Sequence, residues 1–166
     1  MTHPFKKQAF RHDRASGVMG DCYRTALACV LGLDRDEIPH LFQDNQNCEG
    51  LEFDALYNRE LAKRGLTTAQ FCMGTDLDLA LECMSKWVEP DTWWILSATS
   101  GNDENHAFVC RGDVVVFDPS QNDAGIKGPT STGHYWATVV TVRGPDLPAD
   151  AFAGVEVYRR RERSAA

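Results

Sequence analysis

The stretch Gly20-Asp21-Cys22-Tyr23-Arg24-Thr25-Ala26-Leu27-Ala28-Cys29-Val30-Leu31-Gly32 decides how the chain is read. Asp21 offers an N-cap carboxylate and Gly32 a left-handed stop, while Ala26, Leu27, Val30 and Leu31 recur at helical spacing, so a buried helix is predicted over residues 22–31. Its first turn carries a cysteine. A helix N-terminus presents unpaired N–H groups and roughly half a positive charge, which favours thiolate over thiol and can also hold an oxyanion.

Outward from this helix, Leu33 to Ile38 reads as a short helical turn ended by Pro39. A surface helix follows from about Glu52 to Arg64, with Phe53, Leu56, Tyr57 and Leu61 on one face and Gly65 as its stop. Thr67 to Cys72 alternates weakly as a strand, and Asp76 to Trp87 forms a third helix with Leu77, Leu81 and Met84 inward. Four β-branched and aromatic runs come next, at Trp93–Ser97, His106–Cys110, Val114–Phe117 and Tyr135–Val142. Asn122 to Gly133 reads as a long loop. Helices before and antiparallel strands after predict an α+β fold in which the N-terminal helix packs on the sheet. One domain is expected over residues 1–166, with 1–16 and 159–166 irregular or frayed.

Composition narrows the function. Lys+Arg 17 against Asp+Glu 24 leaves a net charge of −7, the wrong sign for a protein that grips phosphate backbones, so no nucleic-acid partner is expected. No apolar run approaches the roughly 20 residues of a membrane helix, and no membrane partner is expected. The opening MTHPFKKQAFRHDR has no apolar export region, so the six cysteines are expected as reduced thiols in the cytoplasm. None of them stands at C-x-x-C spacing and no metal site is expected.

Two downstream residues make Cys22 chemically interesting: His106, which opens one strand, and Asp118, which closes the next. An imidazole can accept a thiol proton and return it to a leaving group if a third group fixes its tautomer. The hairpin can supply that group in the right register. A three-residue loop at Arg111-Gly112-Asp113 sets His106 opposite Asp118; a two-residue Gly112-Asp113 turn puts Asp118 on the other face unless a bulge intervenes.

The blocks Gly20 to Ala28, His106-Ala-Phe-Val109 and Asp118-Pro119-Ser120 resemble the Cys, His and Asp blocks of papain-like cysteine peptidases, and are similar to bacteriocin leader (double-glycine) peptidases. A group of small phage and prophage proteins shares, beyond these, an L-G-L-x-x-[DE]-x-[IV]-P stretch matched by Leu31 to Pro39. The resemblance implies a papain-like fold in a bacterial or phage-infected cytoplasm, a peptide or protein substrate, and amide-bond hydrolysis through an acyl-enzyme without metal or organic cofactor. It makes Cys22 the nucleophile, His106 the general base and acid, and Asp118 the residue that orients the imidazole. Such enzymes carry an oxyanion-hole glutamine shortly before the cysteine; the matching position here is Ser16, which leaves Ser16 and the Cys22 backbone N–H as the expected donors. Gln8 lies further upstream, and Asn105 adjoins the histidine.

Other readings stand beside this one. The same three residues serve transamidation or deamidation, and a papain-like fold lacking its glutamine can persist as an inactive binding module, for example a phage-encoded factor on a host protein. The sequence is silent on oligomeric state. His134 competes with His106 as the histidine of the cleft, and His3, His12 and His40 are expected at the surface. Cys29 and Cys110 are expected in the core, and Cys48, Cys72 and Cys83 have no partner in the pattern. One ring of Trp93 and Trp94 is expected in the core, the other against a cleft.

Overall fold

The computed structural model describes residues 5–13, 15–46 and 51–144. The expected ragged segment 159–166, together with His3 and Cys48, lies outside them. Among the described residues of 5–16 there is no helix or strand, only an isolated bridge from Asp13 to Val18.

Helix α1 spans Cys22–Leu31 and ends as its glycine predicts: Gly32 adopts φ 71°, and Leu33 N–H closes on the Ala28 carbonyl at 2.9 Å. A 3-10 turn at Arg35–Glu37 is closed by a capping box between Asp34 and Glu37. Helices α2 (Leu41–Asp44), α3 (Leu51–Ala62) and α4 (Leu77–Trp87) follow, with strand β1 (Leu66–Cys72) between the last two. Asp76 caps α4 through the Leu79 N–H at 2.9 Å. Strands β2 (Trp93–Ser100), β3 (Asn105–Arg111), β4 (Val114–Phe117), β5 (Ile126–Gly128) and β6 (Trp136–Val142) complete the chain.

The sheet is antiparallel, in the order β1-β6-β2-β3-β4, with β5 paired to the end of β2. Alternation along its central strands sorts side chains onto two faces. Ile95, Ala107 and Val109 face α1, and Tyr57 and Leu61 of α3 close the same cluster behind Ala26, Leu27 and Ala28. Trp94, Leu96, Ala98, Phe108 and Cys110 face the other way, against Ala80 and Met84 of α4. The protein is thus a mixed α+β structure in which a buried helix near the N-terminus packs on an antiparallel sheet.

The expected long loop at 122–133 is interrupted. Its middle residues form β5, paired to the end of β2 with Lys127 left out of register between Ile126 and Gly128, a pairing that three residues cannot announce in sequence. Trp94 is the buried ring, its indole N–H bonding the Gly112 carbonyl at 2.8 Å. Trp93 lies against Phe5, 5.9 Å between ring centroids, and beneath the Arg111 guanidinium. No helix among the described residues is long and apolar enough to cross a membrane.

Candidate functional site

Cys22 is the first residue of α1 and keeps part of its surface in solvent. Asp21 does not cap the helix, contrary to expectation. Its backbone (φ −112°, ψ 26°) lies outside the extended conformation that folds an N-cap side chain over the first turn, and the carboxylate turns away. The terminal N–H groups are therefore left to other acceptors, and the Cys22 sulfur accepts from the Tyr23 N–H. A second donor comes from the sheet. Strand β4 ends at Phe117, opposite Val109, so the β3 edge beyond has no strand on that side; there the Ala107 N–H meets the same sulfur.

The hairpin that carries His106 and Asp118 turns through two residues, pairing Arg111 with Val114 and Cys110 with Val115. Gly112 takes φ 57°, which leaves a two-residue turn compatible with the strand twist. That turn alone puts Asp118 on the wrong face. A bulge repairs it: after Val115 the pairing steps to Val109 with Phe117, leaving Val116 unpaired. Continuing that register by one residue brings Asp118 level with Phe108, on the face His106 shares.

His106 Nε2 lies 2.9 Å from Asp118 Oδ1. A carboxylate only accepts, so Nε2 carries the proton and Nδ1 is left for the Cys22 thiol, with which the ring is hydrogen-bonded. The imidazole packs edge-on against Phe108, 4.8 Å between ring centroids, and is only 8% exposed, so its orientation is set on three sides. Asp118 is itself anchored. Oδ1 also accepts the Ser120 N–H at 2.7 Å, Oδ2 accepts the Gly125 N–H at 2.9 Å, and Lys7 Nζ donates to its carbonyl at 2.7 Å.

Electrostatics follow this wiring. Burial pushes the Cys22 thiol up, but the His106 hydrogen bond and charge and the Ala107 and Tyr23 N–H groups outweigh it, so the thiol titrates below its ordinary value. Burial pushes His106 down; Cys22 and Asp118 together outweigh that and raise it. For Asp118 burial is outweighed by the Ser120 and Gly125 N–H groups and by His106, so its carboxyl is held low. The core cysteines go the other way, Cys29 pushed by burial up to about 12 and Cys110 also raised.

A strap of residues 5–10 joins the two sides of the site. On the sheet side Gln8 N–H bonds the Pro119 carbonyl at 2.8 Å, and Gln121 Nε2 reaches the Gln8 and Ala9 carbonyls at 3.2 and 3.1 Å. On the helix side Phe10 N–H donates to Asp21 Oδ1 at 2.9 Å, Asp21 N–H returns to the Phe10 carbonyl at 3.3 Å, and an Arg35 N–H meets the Lys7 carbonyl at 2.8 Å. Gln8 sits in the middle of this strap. It is 8% exposed, and its Oε1 is buried with no hydrogen-bond partner. The turn bridged by Asp13 and Val18 adds chain between Gln8 and Cys22 without separating the strap from the helix start, where Asp21 N–H meets the Phe10 carbonyl.

Ser16 belongs to that turn. It is exposed, its hydroxyl donates to Asp13 Oδ2 at 2.7 Å, and no hydrogen bond among the described residues joins it to Cys22. Asn105 is exposed and its amide is engaged on both atoms by Ser131, at 2.8 Å each. His134 is held in its own turn, Nδ1 on the Thr132 carbonyl at 3.0 Å. His12 and His40 are half-buried rather than at the surface, because both grip the Gly20 peptide: its N–H donates to His12 Nδ1 at 3.4 Å, and His40 Nε2 donates to its carbonyl at 3.3 Å. Among the described residues no group of three or more His, Cys, Asp and Glu could hold a metal ion.

The arrangement can move a proton between a thiol and an imidazole whose far nitrogen is fixed by a carboxylate. No protein-family model, no curated protein and no solved structure matches the chain.

Proposed function

We propose that the chain is a papain-like thiol hydrolase that cleaves a peptide, isopeptide or other amide bond through Cys22, His106 and Asp118. The observation that carries this reading is the linked set itself: a partly buried cysteine at a helix N-terminus, hydrogen-bonded to a buried histidine whose other nitrogen is 2.9 Å from a carboxylate anchored by two backbone N–H groups. His106 Nδ1 takes the thiol proton and the sulfur attacks the carbonyl carbon. The resulting oxyanion is held by the Cys22 backbone N–H at the start of α1 and by the Gln8 side-chain amide, in the role first expected of Ser16. His106 then gives its proton to the departing amine, leaving a thioester. Water, deprotonated by the same imidazole, attacks the thioester, releasing the acid and restoring the thiol. Asp118 keeps Nε2 protonated throughout and stabilises the imidazolium. An acceptor amine in place of water makes the reaction a transamidation, and a glutamine side chain as substrate makes it a deamidation. Residence in the cytoplasm and the phage setting accompany this reading on the resemblance alone.

The test is incubation of wild type and Cys22→Ala with a proteome-derived peptide library, new N-termini and acid-quenched acyl adducts being counted by mass spectrometry. Cleavage and a Cys22 adduct in wild type only are expected. Identical results for the two proteins would overturn the reading and favour the inactive binding module, which the engagement of Ser16 with Asp13 otherwise supports.

A further inference from the structure

Asp21 is 1% exposed, yet the hydrolase mechanism gives its carboxyl no role. Oδ2 has no hydrogen-bond partner; the nearest cations are Arg24 at 3.6 Å and Arg35 at 3.9 Å. Those guanidiniums have other engagements, Arg24 with the Ile38 carbonyl and Asp36, and Arg35 with the Lys7 carbonyl and Asp36. Two guanidiniums at salt-bridge distance offset the burial of this carboxyl without hydrogen-bonding to Oδ2, and it does not cap the helix. Capping here would also set a negative charge against the N–H groups that face the Cys22 sulfur. Its one good hydrogen bond goes to Phe10 N–H, the end of the strap that fastens Asp118 and Pro119 on the far side of the site.

We propose that Asp21 is a positioning residue for Cys22: turned off the helix N-terminus and onto Phe10, it ties α1 through the strap to Asp118, and so sets the distance across which His106 meets the thiol. The proposal rests on the hydrolase reading. His106 is held between two bodies, the helix start and the Asp118 segment, and the strap is bonded to both. The part of Asp21 that matters is therefore the acceptor atom facing Phe10 rather than the charge.

The experiment is the pH profile of Cys22 alkylation by iodoacetamide in the full chain, alongside the melting temperature, for wild type, His106→Ala, Asp21→Asn, Asp21→Ala and Phe10→Pro. Asparagine keeps an acceptor for Phe10 N–H, so Asp21→Asn should retain the wild-type midpoint. Alanine removes the acceptor and proline the donor; each should raise the midpoint by about one unit toward that of a free thiol, about 8.5. Both variants melting lower with an unmoved midpoint would leave Asp21 a structural anchor and overturn the proposal while the hydrolase reading stands. A wild-type midpoint already ordinary and indifferent to His106→Ala would overturn both. Phe10→Pro keeps the carboxylate in place and reports independently if Asp21→Ala does not fold.

Discussion

At the scale of single residues, Asp118 does more than orient a histidine. Its two oxygens gather the Ser120 and Gly125 N–H groups as well as His106, so one ionised side chain organises both the imidazole and the segment after the hairpin. Its pKa is held below the ordinary 3.8, so its contribution to stability is complete above that value and is lost as pH falls through the lower folded value. Asp118→Asn removes a charge-assisted acceptor, and bonds to charged groups contribute about 1.5–3 kcal/mol each. The variant should melt below wild type at pH 7, and the gap should close as pH falls below 3.8. Melting curves between pH 3 and 7 check this, and a gap that ignores pH would contradict it. Cys22, His106 and Asp118 were legible in the sequence because each has a local signature: a cysteine at a helix start, a histidine opening an apolar strand, an aspartate before proline. The burial of Gln8 and the true engagement of Asp21 were not, since both depend on a strap of irregular backbone whose partners lie more than a hundred residues away or across an intervening turn.

Elements explain why these residues meet. Helix α1 and the hairpin were readable from period and from glycine placement, and the observed bounds of α1 and β4 match the pattern. The bulge at Val116 was foreseeable only as a condition, because an unpaired residue is chosen by what the strand must deliver at Asp118 rather than by any preference of Val-Val-Val. The short β5 escaped for the same reason, three residues having no period. The turn itself is exacting. Gly112 has positive φ, and a Cβ there would stand 2.8 Å from the Pro90 carbonyl, while its own carbonyl holds the Trp94 indole. Gly112→Ala should destabilise the protein by about 1–3 kcal/mol. Chemical denaturation measures this, and a loss below a few tenths of a kcal/mol would mean that the turn relaxes without its glycine.

Across the whole molecule, the sheet separates two apolar layers, and the site forms at its margin, where β4 ends and the start of α1 reaches the edge of β3 that β4 leaves unpaired. That placement gives the described cysteines different fates. Cys29 and Cys110 lie in the layers and are raised by burial, whereas Cys22 alone combines a helix N-terminus, two backbone donors and an imidazole. The central claim is that this combination activates Cys22, and the most direct measurement is residue-resolved iodoacetamide labelling from pH 4 to 9 in wild type and His106→Ala, read by mass spectrometry. Labelling at Cys22 should rise with a midpoint well below about 8.5, far ahead of Cys29 and Cys110, and the midpoint should move upward in His106→Ala. Labelling of Cys22 at the pace of the core cysteines, unchanged by loss of His106, would contradict the account.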